Sequence, residues 1–407
     1  MNKRKHEIGV GIIGMGKRGG SVALNMAKTY HRFGLKVIGI YSRSPEKVSE
    51  AARLVTSAYR EVNIDTHISC HSSIDSMLED PHIDLILITS PQYAHAQATI
   101  PALKSGKKIF LDKPIAHDLS DSLAIAEVEK QTGNTMLMGF TRRYEAPWLK
   151  AFEMLCNGVI GKLHLIQIRS IVPYDIYFHG WHRQRSQSGD ALNDKSSHHF
   201  DVFNWFSQSQ ATRISGVGGR SVYVEDPLAP KRCPECEKIC PYRAHRSSLN
   251  NPDDMHNIVT NDSKIDLERA DDRCVFAPGA DILDHALIQT QYANGVLASL
   301  VYCIFGPKAN DQETLELVGS SGRMVLTRHT GQIELFSNYG KNHEIITSDN
   351  PEIGSGHFGA DYNLLEKMRE FVNGASPVVS GSDGLAATRM AMGALQSVNE
   401  KGKQFDL

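Results

Sequence analysis

Two carboxylates and two imidazoles lie within eight consecutive positions of the segment GDALNDKSSHHFDVFNWF, residues 189–206. They are Asp194, His198, His199 and Asp201. Side chains of these types can bind a metal ion, transfer a proton or cap a helix. The spacing helps to separate these possibilities, because apolar residues in the second half of the segment recur at helical intervals.

A helix that begins near Ser197 places His198 in its first turn and Asp194 in the loop before it. Successive helical residues point about 100° apart, so His198 and His199 cannot both face one ion. We therefore expect His199 to be a packed or surface residue. Asp201 lies on the His198 side and is expected to orient His198 or to cap the helix. A metal site in this segment is disfavoured.

The start of this helix, capped by Ser196 or Ser197, is expected to keep His198 neutral at about pH 7, because the positive end of the helix dipole disfavours an imidazolium. A neutral imidazole can remove a proton from an alcohol. Asp194 can bond the other ring nitrogen and so fix its tautomer. The residues alone leave a proton relay and a purely structural role both open.

Strands and helices alternate up to about residue 140, from IGVGIIG (8–14) through IDLILITSP (83–91) to TMLMGF (135–140). Such alternation is typical of a doubly wound parallel sheet of the α/β class. The sequence therefore predicts a Rossmann domain over residues 1–140.

The pattern changes after this point to strands in which polar and apolar residues alternate, joined by Asn-Gly and Ser-Gly pairs at Gly295 and Gly322. These pairs are typical of hairpin turns, so we predict a mostly antiparallel β-sheet. The second domain, 141–407, is expected to be an α+β substrate-binding and oligomerisation domain that ends in two helices within 360–401.

The composition is that of an ordinary globular protein, with 407 residues, 41% apolar and 22% charged, and a net charge of −2. No run of like charges favours nucleic acid or a membrane surface. No apolar stretch approaches the roughly 18 residues of a membrane span, and the first residues are interpreted as a strand rather than a signal peptide. Seven cysteines, an odd number in a chain large enough to need no disulfides, favour a reducing cytoplasm.

A glycine-rich turn follows the first predicted strand and opens a predicted helix. Its residues are Gly14, Met15, Gly16, Lys17, Arg18 and Gly19. The first glycine permits the tight turn, the second admits a pyrophosphate to the backbone, and the third lets the helix pack on the strand. Helix amides would then point at the phosphates. The turn predicts a dinucleotide-binding site formed by these six residues.

The end of the second strand bears on which dinucleotide is bound. NAD-binding proteins usually place Asp or Glu there to bond the ribose 2′-hydroxyl, whereas Arg accommodates a 2′-phosphate. Here Ser42 and Arg43 occupy the position without a carboxylate, which favours NADP slightly over NAD. A solvated Arg43, or one that stacks on the adenine, remains an alternative.

Asp112, Lys113 and Pro114 end a predicted strand at the carboxyl edge of the sheet, where ligands bind in such folds. An ammonium group at Lys113 could donate three hydrogen bonds to substrate hydroxyls. The alternative is an ordinary exposed loop lysine. The position at the strand end favours a functional role.

Four motifs occur in the order GIIGMGKRGG, TSPQYAH, DKP and DALNDKSSHHFD. They resemble the glucose–fructose oxidoreductase/inositol dehydrogenase (Gfo/Idh/MocA) family, and the resemblance extends over nearly the whole chain. It implies that Lys113 binds substrate and that Asp194 and His198 are the proton-transfer residues. The sequence departs from the family at Asp112, where Glu is usual, and at Ser196, where Gly is common.

The resemblance implies further residues around the cleft. Those expected at the cofactor are Thr89, Ser90, Pro91, His95, Asp112 and Lys113. Those expected at the substrate are Arg143 and Tyr144 of the GFTRRY stretch. The segment IYFHGWHRQR, residues 176–185, adds candidate substrate contacts by residue type, namely Tyr177, His179, Trp181 and Arg183. Among them, Trp181 offers a flat apolar face for a sugar ring.

These residues and the resemblance predict hydride transfer between a nicotinamide cofactor and a secondary alcohol or ketone of a sugar or polyol. His198 would exchange the hydroxyl proton, and Lys113 would stabilise negative charge on the oxygen. Two alternatives remain open: a glycoside-cleaving enzyme that oxidises its sugar transiently before elimination, and a non-catalytic cofactor-binding regulator. By resemblance, a homodimer or homotetramer is expected.

A polar insertion over residues 225–280 contains a cysteine cluster. Its cysteines are Cys233, Cys236, Cys240 and Cys274. Four thiolates can form a tetrahedral structural zinc site. An iron–sulfur site, reduced thiols or an occasional disulfide are the alternatives.

Overall fold

The computed structural model describes residues 7–244, 272–348 and 359–407, so residues 245–271 of the predicted insertion lie outside the described residues. The helices are α1 (Lys17–Lys28), α2 (Tyr30–Phe33), α3 (Pro45–Glu61), α4 (Ile74–Leu78), α5 (His95–Lys104), α6 (Leu119–Thr132), α7 (Ala146–Cys156), α8 (Ile176–His179), α9 (Arg185–Ser188), α10 (Ala191–Asp194), α11 (Ser197–Ser207), α12 (Ala360–Val372) and α13 (Gly381–Asn399). Within the described ranges, none of them is both long and apolar enough to cross a membrane.

The strands form two sheets. They are β1 (Ile8–Ile13), β2 (Leu35–Tyr41), β3 (Ser69–Cys70), β4 (Leu85–Ile88), β5 (Lys108–Leu111), β6 (Met136–Met138), β7 (Leu163–Ile171), β8 (Ala211–Gly219), β9 (His285–Tyr292), β10 (Leu297–Cys303), β11 (Glu313–Gly319), β12 (Arg323–Thr327), β13 (Gln332–Ser337), β14 (Asn342–Thr347) and β15 (Phe405–Asp406).

The first six strands form a parallel sheet in the order β3-β2-β1-β4-β5-β6. Every residue of β1 and β4 is buried, as expected of a parallel sheet with helices on both faces. The strand order reverses between β1 and β4, and ligands bind in such folds at the carboxyl ends of the strands beside this reversal. The predicted doubly wound sheet is confirmed.

The second sheet has the order β14-β13-β12-β11-β7-β10-β9-β8-β15. Its strands pair antiparallel except for β7 and β10, which pair in parallel. Buried and exposed residues alternate along β9, so one face of the sheet is covered and the other is open. Helices α7, α11 and α13 contact this sheet. The predicted mostly antiparallel sheet is confirmed, and the one parallel pair was not predicted.

The last two helices return to the N-terminal sheet. In α12, Nη1 of Arg369 donates to the carbonyl oxygen of Phe33 at 2.5 Å. Just before α13, the carbonyl oxygen of Val379 accepts a hydrogen bond of 2.9 Å from the backbone nitrogen of Met138 in β6. Both helices lie near their predicted bounds, and they complete the N-terminal unit although they follow the predicted boundary at residue 140.

Candidate active site

The glycine turn after β1 leaves the first amides of α1 facing open space. Gly14 has a φ of +97°, and a Cβ there would lie 2.5 Å from the backbone nitrogen of Ser90. A Cβ on Gly19 would lie 2.3 Å from the Gly14 carbonyl oxygen. Gly16 precedes α1, and a Cβ there would have no non-neighbouring heavy atom within 4 Å. An anionic group such as a dinucleotide pyrophosphate can therefore approach the helix N-terminus at Gly16.

Arg18 lies in this turn, but its guanidinium is bonded within the protein. Nη1 donates to Oδ1 of Asp361 at 2.7 Å, and Nε lies 3.6 Å from Oδ2 of Asp112. These ion pairs join α1, the loop after β5 and α12. We therefore assign Arg18 and Asp112 a structural role in place of the expected cofactor contact.

His95 is also bonded within the protein. It is buried, and its ring nitrogens lie 2.9 Å from the carbonyl oxygen of Pro114 and 2.8 Å from that of Ser90. The ring thus holds the loop after β4 against the loop that contains Lys113. This position makes His95 a support of the cleft rather than part of its expected lining.

The other residues expected at the cofactor surround the carboxyl ends of β1, β2 and β4. They are Met15, Lys17, Ser42, Arg43, Thr89, Ser90 and Pro91. The hydroxyl of Thr89 donates to the Gly14 carbonyl oxygen at 2.7 Å, which fixes the turn against β4. Arg43 is exposed, and its Nη2 donates to the Tyr93 hydroxyl at 2.5 Å. An exposed cation therefore lies at the end of β2, preceded by the uncharged residues Tyr41 and Ser42.

Lys113 and Asp194 form a close pair across the cleft between the two units. Nζ of Lys113 donates to the backbone oxygen of Asp194 at 2.7 Å and to its Oδ1 at 2.8 Å. The same Oδ1 accepts a short hydrogen bond from Nε2 of Gln92, and the hydroxyl of Tyr177 also bonds the carboxylate. Asp194 therefore orients the lysine. The described contacts of this carboxylate do not include His198, so the expected bond between Asp194 and the imidazole is wrong.

The Asp194 carboxyl is charged despite its burial. Burial alone would raise its pKa, but the charge of Lys113, the imidazole of His182 at 3.9 Å and the hydrogen bond from Tyr177 outweigh this effect. Together they lower the pKa to about 2. The pair of Lys113 and Asp194 is thus an ammonium held by a carboxylate.

His198 lies in the first turn of α11, as predicted, with its ring centroid 5.8 Å from that of Phe140. It is 7% exposed, and Nδ1 is buried without a hydrogen-bond partner. Burial lowers the pKa of His198 well below its usual value, and the charges of Arg142, Lys113 and Lys195 lower it further. The imidazole is therefore neutral at physiological pH and can accept a proton.

Other residues of the opening segment are structural. Ser196 precedes α11, but its side chain makes no capping bond. Asp201 accepts hydrogen bonds from Nε and Nη2 of Arg143 at 3.0 and 2.8 Å, so it neither caps the helix nor leaves Arg143 free for the expected substrate contact. Tyr144 is buried, and its hydroxyl donates to the carbonyl oxygen of Met138 at 3.0 Å. We therefore withdraw Arg143 and Tyr144 from the substrate site.

A buried cluster of charges lies next to His198. Its members are Arg142, Glu145, Lys195, Glu313 and Arg328, with His199 beside them. Nη2 of Arg142 donates to both oxygens of Glu313 at 2.6 and 2.9 Å, and Nζ of Lys195 lies 3.4 Å from Glu313. Arg328 bonds both oxygens of Glu145 at 2.8 Å. Because these three cations exceed the two carboxylates, the cluster disfavours a charged imidazole at His198.

The segment that spans residues 176–185 divides into two sides. Tyr177 bonds Asp194, and its ring stacks on that of His182, which in turn lies 3.8 Å from the ring of Trp181. His179 and Arg183 instead bond carbonyl oxygens of the insertion. Tyr177 and Trp181 therefore lie on the Asp194 side of this segment, whereas the role of His179 and Arg183 as substrate contacts stays a prediction.

Gln92 and His182 at the site were not singled out from the sequence, nor were the members of the charge cluster: Arg142, Glu145, Lys195, Glu313 and Arg328. Gln92 lies in the motif TSPQYAH and His182 in IYFHGWHRQR. Both are polar residues in segments expected to line the cleft, and this could have identified them. Glu313 gave no such signal, because its partner Arg142 is 171 positions away in the chain.

The fold and this site together define a class. A dinucleotide turn at the reversal point of a parallel sheet, with a bonded lysine and a neutral histidine nearby, is typical of two-domain nicotinamide-dependent oxidoreductases. The sequence matches the oxidoreductase family with an NAD-binding Rossmann fold over residues 8–140, and the C-terminal alpha/beta domain of the same family over 153–404. The chain therefore belongs to the Gfo/Idh/MocA family and is an NAD-binding oxidoreductase.

Curated relatives and solved structures agree with this assignment. The chain is 23% identical to myo-inositol 2-dehydrogenase of Thermotoga maritima over 96% of both chains. It is 27% identical to scyllo-inositol 2-dehydrogenase (NAD(+)) of Bacillus subtilis over 53% of this chain and 58% of the relative. A levoglucosan dehydrogenase in complex with NADH and levoglucosan has the same fold, with a TM-score of 0.75, 17% identity and coverage of 98% and 99%. For several other relatives the matched region spans only 54 to 62% of their length.

Proposed function

We propose that this protein transfers hydride between NAD(P) and a secondary alcohol or ketone of a sugar or polyol, with His198 as the general acid/base. The observation that carries the proposal is a buried, neutral imidazole in the field of the fixed ammonium of Lys113. The open space at Gly16, which can admit a dinucleotide, supports it. The names of the inositol and levoglucosan dehydrogenases support a cyclic polyol or anhydrosugar as substrate class.

Each group at the site has a distinct task in this reaction. The nicotinamide, when bound, supplies or accepts the hydride. The imidazole of His198 takes the hydroxyl proton during oxidation and returns it during reduction. The ammonium of Lys113 donates to the reacting oxygen and stabilises its developing negative charge. Asp194 holds that ammonium in place through two hydrogen bonds. Tyr177 and Trp181 contact the sugar ring.

The proposal includes use of NADP as well as NAD. Arg43 is an exposed cation at the end of β2, and the neighbouring Tyr41 and Ser42 carry no negative charge. A guanidinium there favours a 2′-phosphate, whereas a carboxylate would repel it. Binding of NADP would require Arg43 to turn from Tyr93 toward the ribose.

A panel of cyclitols, aldoses, ketoses and anhydrosugars tests the function, with nicotinamide absorbance followed in the presence of NAD or NADP. Turnover of at least one polyol or sugar with net change in cofactor redox state is expected. Release of aglycone from a chromogenic glycoside without net cofactor reduction would replace the proposal by the glycoside-cleaving route. If the protein binds the cofactor but turns over no compound of the panel, and a Lys113→Ala variant keeps its biological function, the protein is a cofactor-binding regulator.

Two glycine substitutions should separate cofactor binding from stability. The Gly16→Ala methyl meets no protein atom, so we expect an unchanged melting temperature. It would occupy space needed by the pyrophosphate, so NAD affinity should fall at least about tenfold, on the order of 1.4 kcal/mol. The Gly19→Ala methyl would contact the Gly14 carbonyl oxygen at 2.3 Å, so this control should lower the melting temperature. Equal NAD affinity in Gly16→Ala and wild type would indicate that the cofactor does not bind at this turn.

We further propose a homodimer or homotetramer formed through the open face of the second sheet. Four apolar side chains on adjacent strands there are 45 to 54% exposed: Leu165, Val217, Leu287 and Leu297. Leu165 is the register partner of Leu297, and Val217 that of Leu287. The two pairs lie on the same face, and Leu287 pairs with Val301, four residues along β10 from Leu297. Exposed apolar side chains on the open face of a sheet are typical of a subunit interface.

A reducing cytoplasm is the proposed compartment. All seven cysteines of the chain are described, and each is a free thiol. Four of them, at positions 233, 236, 240 and 274, take no part in the proposed hydride transfer and are proposed as ligands of a structural zinc ion.

A further inference from the structure

Four cysteines from both sides of the insertion line one small cavity. They are Cys233, Cys236, Cys240 and Cys274, and the cavity has a volume of about 20 Å³. A space of this size holds a single water molecule or ion. The walls also include Tyr242, and the four cysteine side chains are free thiols.

The backbone around the cavity brings together cysteines that are distant in the chain. Arg232 and Arg273 pair in an antiparallel bridge, and the guanidinium of Arg232 donates to both oxygens of Asp272 at 2.8 and 2.7 Å. This bridge places Cys233 beside Cys274. The backbone nitrogen of Cys236 also donates to the carbonyl oxygen of Cys233 at 3.1 Å, which forms a tight turn between two of the thiols. The bridge and the turn therefore bring Cys233, Cys236 and Cys274 to the same cavity.

We propose that Cys233, Cys236, Cys240 and Cys274 bind one zinc ion, which fastens the insertion to the substrate-side segment 176–185. Four thiolates satisfy the tetrahedral preference of Zn²⁺, with bonds of about 2.3 Å. Among the described residues, three potential ligand atoms lie within 4.8 Å of one another only at His117, Asp118 and Asp121. Binding of one ion by all four therefore requires sulfur atoms of this cluster to move closer together.

Two hydrogen bonds between the insertion and residues 176–185 support the proposal that the zinc ion fastens these segments together. Nδ1 of His179 lies 2.6 Å from the carbonyl oxygen of Arg273, and Nη1 of Arg183 donates to the carbonyl oxygen of Cys274 at 3.2 Å. Arg273 and Cys274 are adjacent in the chain, so a metal bound at Cys274 fixes both acceptors. We expect loss of the metal to make both bonds open more often.

An aromatic row makes a second connection. The ring centroid of Tyr242, at the cavity wall, lies 5.2 Å from that of Tyr223, which lies 4.5 Å from that of Phe178. Phe178 directly follows Tyr177, the residue that bonds Asp194. The cavity is thus linked through packed side chains to the proposed substrate site.

Metal analysis of the purified wild-type protein tests the site. Elemental analysis and native mass spectrometry should find about one zinc ion per chain, and chelation followed by zinc addition should lower and then restore the melting temperature. Cys236→Ser and Cys240→Ser should lose the zinc, whereas the exposed-cysteine controls Cys70→Ser and Cys156→Ser should retain it. Iron with sulfide, a metal-free wild-type protein, or zinc retained in both Cys236→Ser and Cys240→Ser would overturn the proposal.

Hydrogen exchange of the wild-type protein tests the fastening role without any assay of activity. Peptides within residues 176–185 should exchange faster after zinc removal, whereas peptides from β1 and α1 should not change. Equal exchange of 176–185 with and without zinc would overturn this role. Where the proposed function holds, zinc removal should also raise the KM for the polyol at least about threefold with little change in NAD affinity. If no compound of the polyol panel is turned over, the proposed function fails. The metal analysis and the hydrogen exchange still test the zinc site, because neither depends on activity.

Discussion

Replacement of His198 by asparagine is expected to lower kcat by about 10²- to 10⁴-fold, the usual contribution of a general acid/base. The dissociation constant for NAD should stay near the wild-type value, because the proposed partner of the imidazole is the substrate hydroxyl and not the cofactor. Steady-state kinetics with the best polyol and a separate NAD titration measure the two quantities. A His198→Asn variant with wild-type kcat would assign the proton transfer to another group.

The pH profile of the wild-type enzyme is a second readout of the same residue. In the proposed mechanism oxidation requires the neutral imidazole, so activity should be lost as pH falls through the pKa of His198. That pKa is well below the usual 6.5 because of burial and the neighbouring cations. We therefore expect kcat/KM for the alcohol to remain flat as pH falls through about 6.5 and to decline only in more acid solution. A decline centred at 6.5 or above would contradict the environment described for this histidine.

Replacement of Glu313 by glutamine should destabilise the protein strongly. The carboxylate is buried and bonds Arg142, and Lys195 lies 3.4 Å away. Its loss leaves buried cations without compensation, for which a cost of about 3 to 5 kcal/mol is expected. The free energy of unfolding, or the melting temperature where unfolding is not two-state, measures the effect.

Glu316 provides the matched control on the same strand. Its side chain is 31% exposed and lies 3.3 Å from Arg323, which is itself 46% exposed. Surface pairs of this kind contribute about 0 to 1 kcal/mol, so Glu316→Gln should scarcely change stability. Equal stability of the two variants would mean that the buried cluster tolerates the loss of Glu313, for example by admitting water.

The sequence predicts the helices, strands and turns whose formation depends on neighbouring residues in the chain. The apolar run at β4, the glycine turn after β1 and the helical spacing after Ser197 each correspond to the element predicted from them. In each case the decisive interactions lie within a few residues. The short strands β3 and β14 were not predicted, because two residues of β3 carry no periodicity and the residues of β14 are mostly exposed.

Side-chain partners were harder to predict than elements. Asp194 and His198 are four positions apart, which suggested a direct bond, yet the carboxylate bonds Lys113, 81 positions away. Arg143 has the residue type of a substrate ligand, but Asp201, 58 positions away, occupies its guanidinium. The first pairing depends on how the two domains meet, and the second depends on packing within the C-terminal domain. A single sequence contains no local signal for either contact.

The return of α12 and α13 to the first sheet has a consequence for biosynthesis. Residues 1–140 leave the ribosome long before Arg369 and Val379, which bond Phe33 and Met138. During translation the nucleotide-binding half therefore remains without part of its cover until α12 and α13 have emerged. The nascent chain in that interval exposes surface that the finished protein buries, which makes it a natural client for chaperones that act at the ribosome exit.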